Sequence, residues 1–209
     1  MLKQFYENNH IEAGIDEAGR GCLLGPVCVA AVVLNDITDN PPPFEIKDSK
    51  KVPEKKRKVL RKYIEENAIA YSIQLISESE IDKINILQAT VKGMHLCLNH
   101  ILQQIEIDTI LVDGNYFKIY NHPETGEPID HVCIKGGDNE YLNIAAASIL
   151  AKEFRDEYIV NLTKDNPMLE KYGIIKNKGY GTKVHMDAIK EHGLTEWHRK
   201  SFKMKENET

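Results

Sequence analysis

The stretch GIDEAGRG, residues 14–21, places two adjacent carboxylates, Asp16 and Glu17, between an apolar run and a turn with almost no side-chain bulk. The run that enters it, IEAGIDE, and the run that leaves it, PVCVAAVVL, are rich in apolar and β-branched residues. Runs of this kind bounded by glycine are typical of buried strands. The stretch therefore predicts two successive strands, with a pair of acids at the end of the first.

The rest of the chain predicts three more strands and a series of helices. Apolar or alternating runs indicate strands at IAYSIQLIS, TILVD and DHVCIK, which are residues 69–77, 109–113 and 130–135. Apolar periodicity and capping residues indicate helices at residues 54–68, 77–82, 85–105 and about 141–158, with shorter helices in the C-terminal third. Because long helical connections favour parallel pairing and short turns favour antiparallel pairing, we expect an α/β fold with a mixed five-stranded sheet flanked by helices.

Three further acids lie near these elements: Asp113 ends the fourth strand, Asp138 follows the fifth, and Asp156 lies in the helix after it. If the first and fourth strands are neighbours, Asp16 and Asp113 project from similar strand ends. Carboxylates brought together without a cation repel one another, and some must then bind a proton. Mg²⁺ or Mn²⁺ would remove that repulsion, since these ions prefer oxygen ligands. The acids are therefore candidate metal ligands, and two ions roughly 4 Å apart could hydrolyse a phosphodiester.

Each acid also has a plainer explanation. Asp113 before Gly-Asn fits a turn, Asp138 fits a helix N-cap, and Asp156 fits a surface ion pair with the arginine that precedes it. Asp16 and Glu17 alternate along a strand, so one of them could be structural unless the strand has already ended. Taken together, the acids at element ends still favour a metal site.

The glycine turn, residues 19–21, does not match a dinucleotide-binding loop. Its spacing is G-x-G-x-x-x-G, and Pro26 leads into a strand where that motif requires a helix. A backbone without side chains can instead approach a sugar-phosphate closely, and Gly19 and Gly21 flank Arg20, which can bind phosphate. The turn is therefore a candidate substrate contact beside the acids.

A second candidate contact surface is NKGYGTKVH, residues 177–185. Tyr180, between two glycines, can present its ring to a sugar or a base, and Lys178 and Lys183 can bind phosphates. A core tyrosine in a tight turn is the alternative. His185 could contact substrate, although nothing in the sequence requires it, and HRKSFK at residues 198–203 is either a further phosphate patch or a solvated tail.

The distribution of charge matters more than its sum. The net charge is −5 at pH 7, but residues 47–62 carry nine Lys and Arg against two acids, and residues 171–205 carry nine against three. Two basic segments on an acidic body suit a polyanion held over carboxylates. Taken alone, solvated helix faces are the more common explanation of such runs.

Nothing in the chain indicates secretion or a membrane partner. The 209 residues suffice for one domain, no apolar run approaches the roughly 20 residues of a membrane span, and the N-terminus lacks the layout of a signal peptide. The cysteines form no CxxC pair and are expected to be reduced and buried; they are Cys22, Cys28, Cys97 and Cys133. We expect a cytoplasmic monomer.

Taken in order, these motifs resemble the ribonuclease HII family, the bacterial type 2 ribonucleases H. The resemblance covers nearly the whole chain, from GIDEAGRGCLLGPV through KDSKK, INILQAT, LVDGN and GGDNEYLNIAAASILAK to NKGYGTKVH and HRKSF. It implies a ribonuclease H-like fold with a single catalytic domain over residues 1–209, in which residues from about 165 form a helical, substrate-binding extension.

The resemblance also implies an activity and a site. The family cleaves the RNA strand of RNA–DNA hybrids, including 5′ of a single ribonucleotide in duplex DNA, leaves 3′-hydroxyl and 5′-phosphate ends, and uses Mn²⁺ or Mg²⁺. By motif, the residues that look like catalytic metal ligands are Asp16, Glu17, Asp113 and Asp138. The residues that resemble substrate contacts are the 2′-hydroxyl-sensing turn of Gly19, Arg20 and Gly21, the junction-stacking Tyr180, and Lys50 and Lys183.

A few features depart from the family pattern or stay open. Lys135 is followed by two glycines before Asp138, where Lys-Gly-Asp is common, and Cys22 stands where proline is frequent. No N-terminal platform domain precedes the first acid, which weighs against the sister family ribonuclease HIII. A junction-resolving or strand-transferring nuclease of the same fold would also cut all-DNA substrates, and a non-catalytic hybrid-binding module would tolerate loss of the acids. The tail KMKENET has no apolar docking motif, and a sliding-clamp interaction is left open.

Overall fold

A computed structural model describes residues 2–202 of the chain. The tail KMKENET, for which the sequence predicts no docking motif, lies outside the described residues. Within residues 2–202, no helix combines the length and the hydropathy that a membrane span requires.

The strands form one mixed sheet in the order β3-β2-β1-β4-β5. The first three strands pair antiparallel, whereas β4 pairs parallel with both β1 and β5. Their bounds are β1 Glu12–Ala18, β2 Val27–Leu34, β3 Ala68–Ile76, β4 Thr109–Asp113 and β5 Asp130–Ile134. The predicted mixed five-stranded sheet is confirmed. The first and fourth strands are neighbours, which is the condition under which Asp16 and Asp113 project from similar strand ends.

In the described part of the chain, six α-helices and three short 3-10 turns connect and cover these strands. The helices are α1 Glu54–Asn67, α2 Glu78–Ile84, α3 Ile86–Ile101, α4 Leu142–Asp165, α5 Ile174–Asn177 and α6 Lys183–His192. The 3-10 turns are Ser49–Lys51, Gly137–Asn139 and Pro167–Tyr172.

Each face of the sheet has its own core. On one face, Ile15 of β1 and Val112 of β4 pack with Leu98 of α3. On the other face, Val32 of β2 packs with residues of α1 and α4 such as Leu60, Ile64 and Ala146. Every residue of β2 is buried because both of its faces are covered.

The long helix α4 lies directly against the middle of β1. A Cβ atom on Gly14 would stand 2.3 Å from the backbone carbon of Asn143, so only glycine permits this approach. The Asn143 side chain donates to the carbonyl of Glu12 at 2.8 Å and accepts from the amide of Leu34 at 3.0 Å. The start of α4 is thereby fixed over β1 and β2, close to the acids that end β1.

Helix α4 is longer than its sequence pattern predicts, ending at Asp165 where we expect an end near Tyr158. Ile159 and Thr163 continue the buried face beyond that point. The helix stops where Pro167 begins the next turn, since proline disfavours helical backbone in the residue before it.

Candidate active site

Strand register brings Asp16 and Asp113 side by side. The parallel pairing of β1 and β4 aligns Ile15 with Val112, and the two acids are the next residue of each strand. Because Ile15 and Val112 face the α3 side, and side chains alternate along a strand, both acids face the α4 side of the sheet. This juxtaposition is the one that the sequence predicts.

The turn after β5 adds Asp138 to the same edge. Gly136 adopts a left-handed conformation, with φ of 70°, and the amide of Gly137 then donates to Asp113 Oδ1 at 2.8 Å. The next residue, Asp138, is buried and accepts from Asn139 Nδ2 at 2.7 Å. Asp138 lies in a 3-10 turn and does not cap α4, so the helix N-cap explanation is wrong.

Glu17 stays within β1, which continues to Ala18, opposite Val29 of β2. Its Oε1 accepts from Arg20 Nη1 at 3.2 Å, and the Arg20 side chain is exposed. The glycine turn thus directs Arg20 back toward Glu17, the last acid of β1.

Burial and the charges of neighbouring carboxylates raise the pKa values of Asp16 and Glu17. The pKa of Asp16 is raised well above its ordinary value, first by burial and then by the charges of Glu17, Asp113 and Asp138. Burial also raises the pKa of Glu17, while the nearby Arg20 guanidinium opposes the rise. Carboxylates that repel one another in this way need a neutralising partner, which a bound cation would supply.

Asp48 is a fourth acid on the α4 side that the sequence argument did not single out. It is buried, it accepts from the amide of Lys50 at 3.0 Å, and with burial it raises the pKa of Asp138 to about 6. Its position in the motif KDSKK was visible in the sequence, but the run of lysines drew the interpretation to charge rather than to this acid.

The donor set suits a hard divalent cation in its chemistry. Within residues 2–202, no three His, Cys, Asp or Glu side chains are arranged to hold a metal ion as they stand. The oxygens are instead engaged internally: Asp16 Oδ1 accepts from the amide of Glu17 at 2.6 Å, and Asp113 Oδ1 accepts from Gly137. Oxygen-only ligands with unneutralised negative charge are what Mg²⁺ and Mn²⁺ prefer, and Asp16 and Asp113 each engage only Oδ1 in these bonds.

Asp156 does not pair with Arg155, so that interpretation is wrong. Its Oδ1 lies 2.8 Å from Lys152 Nζ, one helical turn back on α4, and its Oδ2 lies 4.0 Å from Arg57. Residues adjacent in a helix point in different directions, and the Arg155 guanidinium is directed into the protein.

The glycine turn and the Tyr180 turn are neighbours. Cys22 forms a β-bridge with Tyr180, and the amide of Leu23 donates to the carbonyl of Gly179 at 2.8 Å. The Tyr180 side chain is 41% exposed, which excludes the alternative of a core tyrosine. The two surfaces that the sequence predicts as substrate contacts therefore adjoin one another.

The basic residues divide into two groups. Lys50 is exposed, and its charge opposes the raised pKa values of Glu17 and Asp138, so it lies close to the acids. Lys183 is also exposed, but its Nζ lies 2.7 Å from Asp187 on α6. Several basic residues of α1 likewise pair with acids, as solvated helix faces do; the pairs are Lys58–Glu54, Lys62–Glu66 and Arg61–Glu65.

Two histidines that follow the Tyr180 turn are structural. His185 is fully buried, with Nδ1 3.0 Å from the carbonyl of Tyr180 and Nε2 3.0 Å from Nε2 of His198. A direct contact of His185 with substrate is therefore excluded in this arrangement. His198 and Arg199 are also buried, so these two residues form neither a phosphate patch nor a solvated tail. Lys203, the last residue of that motif, lies outside the described range.

Comparison with known sequences identifies one family over most of the chain. The sequence model described as Ribonuclease HII matches residues 13–205. A ribonuclease HII from Parabacteroides distasonis is 46% identical over 202 residues, covering 97% of this chain and 94% of that protein.

Comparison with solved structures identifies the same fold. The structure of the PCNA:RNase HII complex from Archaeoglobus fulgidus matches with a TM-score of 0.70 at 25% identity, covering 94% of this chain and 96% of that chain. Bst-RNase HIII in complex with Mn²⁺ matches with a TM-score of 0.68 at 18% identity, covering 88% of this chain and 63% of that chain. The architecture is thus that of the ribonucleases HII and HIII.

Proposed function

The chain belongs to the ribonuclease HII family, endonucleases of the ribonuclease H type that act on RNA–DNA hybrids, and we propose that it also cleaves duplex DNA 5′ of a single embedded ribonucleotide. The products would carry 3′-hydroxyl and 5′-phosphate ends. The observation that carries this proposal is the contact between the glycine turn and the Tyr180 turn, beside the edge where Asp16 and Asp113 meet.

Asp16, Glu17, Asp113 and Asp138 are the residues that would hold Mn²⁺ or Mg²⁺. A pair of such ions held by these residues would supply activation of a water for in-line attack and charge stabilisation for the departing 3′ oxygen of a phosphodiester. In this proposal the scissile phosphate lies at the carboxyl end of β1 and β4, where Asp16 and Asp113 meet. The exposed Arg20 side chain, already 3.2 Å from Glu17, is available to a phosphate oxygen at the same edge.

The glycine turn would distinguish a ribonucleotide from its deoxy neighbours. The 2′-hydroxyl is the group that marks a ribonucleotide in DNA, and it can donate and accept hydrogen bonds. A Cβ atom on Gly21 would meet nothing within 4 Å, and Gly21 has no positive φ, so the fold itself does not require glycine there. We attribute the bare position to close approach of the substrate backbone.

The half-exposed ring of Tyr180 would stack on the sugar or base next to that ribonucleotide. Lys50, beside the acids, and Lys183, on the exposed side of α6, would contact flanking phosphates without reading sequence. These contacts supply affinity, whereas the glycine turn supplies selectivity for ribose.

The proposal is tested with end-labelled duplex DNA that carries one ribonucleotide, with a long RNA–DNA hybrid, and with an all-DNA duplex as control. Cleavage and binding of each are measured with the protein and Mn²⁺, Mg²⁺ or a chelator. We expect one metal-dependent cut 5′ of the ribonucleotide and an untouched control. Cleavage of the all-DNA duplex would favour a junction-resolving nuclease, and cleavage of long hybrids alone would refute recognition of isolated ribonucleotides. Binding with no cleavage in any metal would favour a hybrid-binding module.

A further inference from the structure

Two buried arginines hold the β1–β2 loop, residues 19–26, from the inside. The guanidinium of Arg155, on α4, donates from Nε to the carbonyl of Pro26 at 3.0 Å and from Nη2 to that of Leu24 at 3.0 Å. The guanidinium of Arg199 donates from Nε to the carbonyl of Gly25 and from Nη1 to that of Arg20, both at 2.9 Å.

The same arginines connect this loop to the C-terminal third. Arg155 Nη1 donates to the carbonyl of Lys178 at 2.8 Å, in the turn that presents Tyr180. The backbone amide of Arg199 donates to the carbonyl of Leu23 at 2.8 Å. The β1–β2 loop is therefore held between the Tyr180 turn and the Arg199 segment, with a guanidinium on each side.

Neither arginine can touch substrate. Arg155 is 1% exposed and Arg199 is 2% exposed. Within residues 2–202, Nη2 of Arg199 has no hydrogen-bond partner. Keeping a guanidinium buried costs free energy, and its planar fork recovers part of that cost by meeting several carbonyls in fixed directions, which a lysine cannot do.

Neighbouring glycines show how closely the loop is fitted around Arg155. A Cβ atom on Gly19 would stand 1.9 Å from Arg155 Nε, and one on Gly179 would stand 2.5 Å from the carbonyl oxygen of Leu24. Both glycines also have positive φ, of 90° and 85°. The glycine turn and the Tyr180 turn are thus both fitted closely around the Arg155 side chain.

We infer that Arg155 and Arg199 are positioning residues that fix the glycine turn and the Tyr180 turn relative to one another, and that this spacing determines recognition of an isolated ribonucleotide. The inference rests on the proposed function. A long RNA strand offers a 2′-hydroxyl in every register, so a displaced loop still finds productive complexes. A single ribonucleotide offers one register only, so any displacement of the loop lowers the cleavage rate directly.

The test compares single-turnover cleavage of two substrates, a long RNA–DNA hybrid and duplex DNA with one ribonucleotide. Arg155→Lys and Arg199→Lys keep the charge and remove the fork. We expect each to lower the rate on the single-ribonucleotide duplex, relative to the hybrid, by about 10-fold or more. The control is Leu98→Ala, which opens a cavity on the opposite face of the sheet and should lower thermal stability with no change in this ratio.

A double-mutant cycle separates positioning from general stabilisation. If Arg155 acts through the Tyr180 turn, Arg155→Lys should change the substrate ratio by less than about 2-fold in a Tyr180→Ala background. Should the lysine variants fail to fold, Gly179→Ala provides a second test, because it displaces the Tyr180 turn from the β1–β2 loop and leaves both arginines in the sequence. We expect it to lower the rate on the single-ribonucleotide duplex, relative to the hybrid, to the same extent.

The outcomes are distinct. If the unmodified protein does not cut the single-ribonucleotide duplex, the proposed function is wrong. If the unmodified protein cuts that duplex, and the ratio of the two rates in the variants stays within 2-fold of the ratio in the unmodified protein, the positioning role is wrong. The proposed function then still stands.

Discussion

At the scale of single residues, Asp16 carries the largest conflict between stability and chemistry. Its side chain is 7% exposed, and burial with three neighbouring carboxylates raises its pKa. Such a group destabilises the ion-free protein because its charged form is poorly solvated. The presence of a carboxylate at this buried position is explained by its capacity to bind a cation and not by a contribution to folding.

Asp16→Asn and Asp113→Asn should therefore remove activity without weakening the fold. We expect cleavage of an RNA–DNA hybrid to fall by more than about 100-fold, since even residues that only orient a metal ligand are worth about 10- to 100-fold. Without metal, thermal stability should be unchanged or higher, because a repelling charge is gone. Glu106→Gln, an exposed acid that precedes β4, is the control. Unchanged cleavage by both variants would remove the metal-site assignment.

Gly19 and Gly21 should respond differently to the same substitution. Gly19→Ala places a methyl group on Arg155 at a φ of 90°, and we expect it to lower the free energy of unfolding by about 2 kcal/mol or more. Gly21→Ala enters open space, so stability should change by less than about 0.5 kcal/mol while cleavage beside a ribonucleotide falls. Denaturant unfolding and cleavage assays on both variants test this, and full activity of Gly21→Ala would contradict the role of the bare turn.

At the scale of elements, α4 joins the parts of the site. Its first turn lies on Gly14 of β1, its middle supplies Lys152 and Arg155, and its end leads to the C-terminal helices. One helix therefore sets the distance between the acids and the Tyr180 turn. The first ten residues of this helix are all buried, so its start is held firmly against the sheet.

The contact between α6 and the segment before Arg199 should make stability depend on pH. Burial, with the adjacent His185, lowers the pKa of His198 from 6.5 to about 4. His198 then binds a proton near pH 6.5 in the unfolded chain but only near pH 4 in the folded chain. The free energy of unfolding therefore falls as pH decreases through this window. We expect the loss to be on the order of 1–2 kcal/mol.

The comparison of unmodified protein with His198→Gln isolates this contribution, since carboxylates elsewhere affect both proteins alike. Denaturant unfolding between pH 4.5 and pH 7 should give a shallower pH dependence for the variant. Identical slopes would show that His198 is protonated equally in the folded and unfolded chains.

At the scale of the whole molecule, the net charge is negative, but in the part of the chain that the structure describes some basic residues near the candidate site are left unpaired with acids. Lys58 and Lys62 of α1 are paired with acids on the same helix. Lys50 lies near the acids of the site, and Lys178 belongs to the Tyr180 turn. Local placement, rather than net charge, would then allow the protein to bind a polyanion.

Binding of a noncleavable duplex should accordingly weaken steeply with salt. Each phosphate neutralised contributes a slope of about −0.9 to the dependence of log K on log salt concentration. Lys50→Ala should reduce the magnitude of that slope by roughly one, and Lys58→Ala, whose side chain is paired with Glu54, should leave it unchanged. Affinity measured by fluorescence anisotropy across a salt series gives the slopes, and equal slopes for all three proteins would exclude Lys50 as a phosphate contact.

The sequence by itself determined the five strands, the presence of the long helices, and the acids Asp16 and Asp113 near the ends of the first and fourth strands. These follow from periodicity and connection length, which are local properties that the order of residues carries directly. The family motifs likewise predict that Asp138 and Tyr180 belong to the same site. That the first and fourth strands are neighbours was decided by the tertiary structure.

Only the tertiary structure decided the roles of Arg155, Arg199, His185 and Asp48. From the sequence, Arg155 enters only as the ion-pair partner in the plainer explanation of Asp156, and Arg199 belongs to either a phosphate patch or a solvated tail, but both arginines are buried among carbonyl groups. A backbone carbonyl is the same in every residue, so no pattern of side chains reveals which carbonyls a distant guanidinium will meet. That choice is made by long-range packing, which brings residues 19–26, 155 and 199 together.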